Sequence, residues 1–170
     1  MATTKNFTAV YFAGKTALFL TFLILLFYQN SFSNDQWYWY QPMPTGNHLN
    51  SVDFFNENTG VAVGILGTIL RTTNKGVNWS LQISNTNKDL KAVCFIDKMN
   101  CIAVGKSGLI LKSENTGSSW TTLKSFIKSD LISVNFPYIK TGYTSGYNGT
   151  ILKTTDCGNS WTEQISGTNS

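Results

Sequence analysis

Three tryptophans, Trp79, Trp120 and Trp161, stand 41 residues apart, and each closes the same eight-residue frame. The copies read Thr72-Thr73-Asn74-Lys75-Gly76-Val77-Asn78-Trp79, Ser113-Glu114-Asn115-Thr116-Gly117-Ser118-Ser119-Trp120 and Thr154-Thr155-Asp156-Cys157-Gly158-Asn159-Ser160-Trp161. A hydroxyl residue, an Asn or Asp, a Gly and a Trp recur at fixed places. Such a period marks a repeat architecture, in which each unit is one supersecondary element that buries its apolar face only against its neighbours.

The frame has a structural logic that needs no catalysis. An Asp or Asn side chain accepts hydrogen bonds from backbone N–H groups about two residues ahead, Gly supplies a positive φ, and Ser or Thr braces the turn. Trp then opens the returning strand as its large apolar anchor. Thr72, Asn74, Gly76 and Trp79, with Ser113, Asn115, Gly117 and Trp120 and with Thr154, Asp156, Gly158 and Trp161, are read as hairpin staples.

The rest of the period is strand and turn. Leu49-Asn50-Ser51-Val52-Asp53-Phe54, Leu90-Lys91-Ala92-Val93-Cys94-Phe95 and Leu131-Ile132-Ser133-Val134-Asn135-Phe136 align without a gap as a first strand, Val and Phe sharing one face. After a turn comes a second strand (Val61-Ala62-Val63-Gly64 and its equivalents). A tight Gly-x-x-Gly turn then leads to a third (Thr68-Ile69-Leu70-Arg71 and its equivalents), and the Trp strand is the fourth. Four short strands in about 41 residues is the size of a β-propeller blade. The expected fold is all-β: three four-stranded antiparallel blades over 49–89, 90–130 and 131–170. Three blades fall short of the roughly 4 to 8 of a closed ring, so a partial propeller is expected. Trp37-Tyr38-Trp39-Tyr40-Gln41, within a lead-in over 34–48, lies 41 residues before the first unit's fourth strand and reads as an orphan outer strand. The chain stops inside a linker, and with three blades it reads as a fragment, or as a chain whose remaining blades are absent.

Residues 1–33 follow a different grammar. Lys5 and Lys15 precede an uncharged apolar run, Thr16 to Tyr28, and then the small-x-small triplet Ser31-Phe32-Ser33. That order is a secretory signal peptide cut after Ser33. The alternative is an uncleaved membrane anchor, although 13 apolar residues are fewer than the roughly 20 of a spanning helix. Either way the repeats are placed outside the cytoplasm, as an exported chain with no span in its mature part.

The repeat frames Leu-x-x-Val-x-Phe, Gly-x-x-Gly-x-Ile-Leu-Lys-Thr-Thr and Thr-x-Asp-x-Gly-x-Ser-Trp resemble those of the photosystem II stability/assembly factor-like family, within the Asp-box (BNR-type) β-propellers. The resemblance covers 49–170 and implies a propeller used as a protein-interaction or assembly scaffold, without catalysis or cofactor. It also brings an alternative: a fragment of a carbohydrate-active, BNR-type glycosidase or sialidase-like propeller whose catalytic residues lie in other blades. Two departures, Asn100-Cys101 for Thr-Gly and Asn74 and Asn115 for Asp, are expected to weaken turns without changing the architecture.

The chemistry-bearing residues favour the scaffold. Sialidase-like carboxylate clamping uses three arginines, and Lys does not replace bidentate Arg. Arg71 is the only arginine, with Lys112 and Lys153 at its equivalent positions. The acidic residues give no evident pair across a cleft, as glycoside hydrolysis needs. His48, the only histidine, is equivalent to Asp89 and Asp130 and reads as a turn residue; no Cys-x-x-Cys is present, so no metal site is legible. Each staple offers one acidic or amide side chain, too few for calcium. From Asn34 onward 11 basic residues face 9 acidic ones, scattered along the chain, which argues against nucleic-acid binding. Cys94 and Cys101 fall in one hairpin, where a local disulfide and a pair of small thiols are both open readings, and Cys157 remains free. Asn78-Trp79-Ser80 and Asn148-Gly149-Thr150 match the glycosylation acceptor pattern.

Staples repeat because geometry demands it, whereas the Gly-x-x-Gly tips and the linkers differ. Specificity is expected there, and Lys106, Phe126, Ile127 and Tyr147 are the candidate surface for a protein partner.

Overall fold

The computed structural model describes residues 44–168. The expected signal peptide and orphan strand lie outside them. The first sheet contains β1 (Leu49–Phe54), β2 (Gly60–Gly64), β3 (Ile69–Thr72) and β4 (Ser80–Gln82). The middle sheet contains β5 (Leu90–Phe95), β6 (Cys101–Gly105), β7 (Ile110–Ser113) and β8 (Thr121–Leu123). The third contains β9 (Leu131–Asn135), β10 (Gly142–Gly146), β11 (Ile151–Thr154) and β12 (Thr162–Gln164). Each is an antiparallel meander in chain order. The architecture is all-β, three four-stranded blades of a partial propeller.

Every inner strand carries a bulge that the aligned frames do not reveal. Register slips between Leu49 and Ser51, between Leu90 and Ala92, and opposite Ser145/Gly146 in the third sheet. A bulge places two residues opposite one and so shifts the alternation of faces. It explains why Leu and Val three apart point the same way: Leu90 and Val93 enter one core, Leu131 and Val134 the other.

Those cores lie between sheets. Val61, Val63 and Ile69 of the first sheet pack against Leu90, Val93, Ala103 and Leu111 of the middle one. Ile102, Val104 and Ile110, on the opposite face of the middle sheet, pack against Leu131, Val134 and Leu152. The strands read as continuous apolar runs, Ile102-Ala103-Val104, because both faces of the middle sheet are covered. Thr144 replaces an alanine of the same row, and its buried hydroxyl has no partner among the described residues.

Polar side chains tie the inner strands together across the sheets. Ser51 Oγ accepts from Val93 N–H at 3.3 Å, Asp53 Oδ2 from Phe95 N–H at 2.7 Å, and Asn50 Nδ2 donates to Leu90 O at 2.7 Å. The first-strand Ser and Asp thus satisfy edge amides of the next blade, which would otherwise be costly to bury.

The cysteines are free, and the register excludes the disulfide reading: Cys94 lies opposite Ile102 and Cys101 opposite Phe95. Adjacent register positions point to opposite faces, so Cys101 enters the core shared with the first sheet while Cys94 packs toward the third. Burial pushes the Cys101 thiol up to about 12 and raises Cys94 as well. Cys101 also rearranges its neighbours. Where Gly60 and Gly142 stand, the adjacent phenylalanine lies edge-on to its staple tryptophan, Phe54 on Trp79 at 5.8 Å and Phe136 on Trp161 at 5.9 Å. A Cβ at Gly60 would meet the Phe54 ring at 2.7 Å. With Cys at this place, Phe95 stacks at a tilt on Phe55 of the first sheet, 6.1 Å away.

Trp120 is buried in the core between the first and middle sheets, and an added Cβ at Gly117 would lie 2.6 Å from Val61 Cγ2. Trp120→Ala should therefore cost about 3 to 5 kcal/mol, the range for emptying a large buried site. Gly117→Val should destabilise through both its positive φ of 78° and that contact. Urea midpoints equal to the parent's for both variants would contradict the packing described.

Candidate functional site

The turns of each meander divide between two faces. On one, staple loops bond the first turns: Lys75 N–H donates to Asn58 O, Thr116 N–H to Met99 O and Cys157 N–H to Lys140 O. On the other, the tips bond the linkers, through Ile65 N–H to His48 O, Lys106 N–H to Asp89 O and Tyr147 N–H to Asp130 O.

The staple places its bonds differently from the sequence expectation. The Asn or Asp oxygen reaches four residues ahead, Asn74 Oδ1 to Asn78 N–H, Asn115 Oδ1 to Ser119 N–H and Asp156 Oδ1 to Ser160 N–H, each 2.9 Å. The hydroxyl residue bridges to the glycine: Gly76, Gly117 and Gly158 N–H donate to Thr72, Ser113 and Thr154 at 3.1, 2.9 and 3.0 Å. The residue before each glycine, Lys75, Thr116 or Cys157, also has positive φ. Tryptophan sits one place before the fourth strand, and Trp120 and Trp161 Nε1–H both donate to their glycine carbonyl at 3.1 Å.

Two of the departures from the repeat frame make bonds of their own, at Asn115 and Asn100. Asn115 Nδ2 donates to Ser119 Oγ where Asp156 Oδ2 accepts from Ser160 Oγ. Asn100 donates through both its backbone and side-chain nitrogen to the Asp97 carboxylate.

On the tip face, an acidic residue before each following blade clasps the preceding tip. Asp89 Oδ1 accepts from Leu66 N–H at 3.2 Å, and Asp130 Oδ1 from Ser107 N–H at 2.9 Å. This link from linker to tip was missed in the sequence, where its one signal is the acidic residue preceding Leu90 and Leu131 but not Leu49. Lys106 forms an ion pair with Asp89 at 2.9 Å, so it is partly committed to its own blade. The bond from Lys106, then the Leu66 amide, hold Asp89 down to about 2. Phe126 is 96% exposed and Tyr147 59%, whereas Ile127 is tucked against the core of the middle and third sheets. The linker of Phe126 and Ile127 lies against the middle tip, as Gly108 faces the Ile127 carbonyl closely enough to exclude a side chain. Tyr147 stands on the next tip of the same face.

Arg71, Lys112 and five aspartates are engaged between blades or within turns. Arg71 Nε donates to Thr116 O of the middle staple at 2.7 Å. Lys112, its equivalent, is buried and bonds Asn159 of the third staple and Glu114. Asp53, Asp89, Asp97, Asp130 and Asp156 each accept backbone N–H bonds. Exposed His48 contributes its carbonyl to the first tip. Among the described residues, no group of three or more His, Cys, Asp or Glu could hold a metal ion.

The family model described as photosynthesis system II assembly factor YCF48 matches residues 29–128. The chain belongs to this family. Among solved structures it is similar to YCF48 bound to D1 peptide, at 19% identity and a TM-score of 0.63 over 71% of this chain and 42% of that one. It is also similar to YCF48 from Cyanidioschyzon merolae, at 22% identity and a TM-score of 0.62 over 72% of this chain and 41% of that one. An ancestral GH74 enzyme matches at 25% identity and a TM-score of 0.54, over 68% of this chain and 18% of the enzyme. Both YCF48 structures superpose better than that enzyme. The chain spans about two fifths of the YCF48 structures' length. No curated protein matches it.

Within this YCF48-family blade, Asp156 gives the staple a measurable pH signature. Desolvation works to raise its carboxyl, but bonds from the Ser160 hydroxyl and amide and from Thr154 outweigh it and hold the group down to about 2. A folded-state value below the unfolded value of about 3.9 adds stability above pH 4, which is lost as pH falls toward 2. Asp156→Asn should fold normally at neutral pH, as the Asn74 and Asn115 staples do, and melt with a shallower acid dependence between pH 4 and 2. An unchanged acid slope would show that Asp156 carries none of it.

Proposed function

We propose that this chain is part of an exported, non-catalytic propeller whose tip face binds a segment of another protein, as an assembly or interaction scaffold. The observation that carries this reading is the contrast between the tip side chains and everything else. Leu66 and Tyr147 stand out into solvent from tips held by backbone bonds, and Phe126 from the linker beside the middle tip, while Arg71 and the aspartates are engaged between sheets or within turns. Exposed apolar side chains on rigid turns form a contact surface at little ordering cost. Kinship supports the same reading, since one similar structure is a YCF48 bound to D1 peptide. Lys106, Phe126, Ile127 and Tyr147 are the proposed partner surface, with Phe126 and Tyr147 its anchors and Ile127 the buttress that holds the linker.

Export rests on the order of lysines, apolar run and small residues in 1–33, with retention as an anchor as the alternative. Among the described residues no helix is long and apolar enough to cross a membrane. The proposed units are the lead-in over 34–48 and the blades over 49–89, 90–130 and 131–170. Similarity to the GH74 enzyme keeps the carbohydrate reading as the rival; the engagement of Arg71 and the aspartates weighs against it.

The test is a pull-down from the native exported fraction with the parent chain, a tip variant carrying Tyr147→Ala and Phe126→Ser, and the staple-face control Ser118→Ala. Loss of a protein partner by the tip variant alone is expected. Unchanged recovery of every partner by the tip variant would overturn the reading, and retention on polysaccharide with no protein recovered would favour the rival.

A further inference from the structure

Lysines that lie scattered along the sequence gather at one place in the fold, the tip end of the middle blade. Lys88 and Lys91 lie where the chain enters its inner strand, Lys106 on its tip, and Lys124 and Lys128 in the linker that leaves its outer strand. This blade has the first sheet packed on one side and the third on the other, so the patch borders neither end of the described chain. Five lysines stand against two aspartates there, and both aspartates are already engaged. Asp89 accepts from Leu66 N–H and pairs with Lys91 at 3.4 Å and Lys106 at 2.9 Å, while Asp130 accepts from Ser107 N–H. Lys88, Lys124 and Lys128 are exposed, with no carboxylate paired to them among the described residues.

The opposite face shows no such excess. Lys75, Lys98, Lys112 and Lys140 stand on the staple side with Glu57, Asp97, Glu114 and Asp156, four against four, and two of these lysines are in ion pairs, Lys75 with Glu57 at 3.1 Å and Lys112 with Glu114 at 3.0 Å. Apolar side chains are set among the tip-face charges. Along the linker Lys124, Phe126 and Lys128 are exposed while Ser125, Ile127 and Ser129 are half-buried, so two cations flank an aromatic ring that is 96% exposed. Leu66 and Tyr147 stand out from the tips on either side. Such apolar side chains, each set apart among hydrogen-bonded turns, fit a polypeptide that presents its residues singly and not the continuous apolar layer of a bilayer.

We propose that the tip end of the middle blade takes an acidic segment of a partner protein, with Lys88, Lys124 and Lys128 meeting its carboxylates and Phe126 meeting an apolar side chain between them. This rests on the tip-face reading above and names the chemical class of its partner. An acidic chain is drawn to the positive potential of this face and finds no matching excess on the staple face, so charge decides which side of the blades it meets.

Selection from a random-peptide library on the purified full chain, followed by fluorescence anisotropy of the selected peptides, tests it. Peptides rich in Asp and Glu around an aromatic or aliphatic residue are expected, bound more weakly as salt is raised. Lys124→Glu with Lys128→Glu should weaken them at least about tenfold, whereas the staple-face pair Lys98→Glu with Lys140→Glu, which changes net charge equally, should leave them unchanged. If the first pair loses the parent's circular dichroism, Lys124→Gln with Lys128→Gln replaces it. Basic or uncharged selected peptides, no selected peptide at all, equal losses in both pairs, or tighter binding to phosphatidylserine vesicles than to any selected peptide each overturn the proposal. Uncharged peptides lost with Tyr147→Ala and Phe126→Ser but kept by the lysine pair would overturn the acidic class alone and leave the tip-face reading standing; peptides kept by every tip variant would overturn both.

Discussion

Everything in this structure depends on apolar contact between facing sheets. A four-stranded meander of short strands has no interior of its own; its Val, Ile and Leu side chains leave water only when another sheet lies about 10 Å away. The middle sheet meets that condition on both faces, through Val93, Ala103 and Leu111 on one side and Ile102, Val104 and Ile110 on the other. The close approach that makes the contact dense also fixes its composition. Gly117 and Gly158 admit Val61 and Ile102 of the preceding sheets, and a side chain at either place would push the blades apart.

Hydrogen bonds then fix how the sheets are set against one another. Ser51 and Asp53 bond the inner edge of the next blade, Arg71 and Lys112 reach the next staple, and Asp89 and Asp130 clasp the preceding tip. Between the first and middle sheets these bonds connect inner strand, staple face and tip face, so sliding one sheet on the other breaks all three sets together. A rigid tip face follows from that, and side chains such as Tyr147 and Phe126 can vary without disturbing it.

The period of 41 residues made the three blades legible, because a staple must repeat its Gly and Trp wherever the chain reverses the same way. The order of strands and the division of turns between two faces were legible for the same reason. Long-range pairing was not. The bulge at Asn50, Lys91 and Ile132 leaves no mark in an ungapped alignment, since all three copies share it. The disulfide reading for Cys94 and Cys101 failed on a one-residue offset in register, which decides the face of each side chain and cannot be counted from the hairpin alone. The Asp89 and Asp130 clasps join a linker to a tip 23 residues earlier, and local turn chemistry gave them only a role within their own linker. Among the candidate partner residues, exposure separated Phe126 from Ile127, two neighbours that composition treats alike.

A blade is held by its neighbours and not by its own strands. Circular dichroism of an isolated peptide spanning residues 90–130, the middle repeat alone, separates the two. A disordered spectrum with no cooperative thermal transition is expected, because the side chains on both faces of that sheet would be left in water. A β-rich spectrum that melts cooperatively at a concentration where the peptide is monomeric would contradict it.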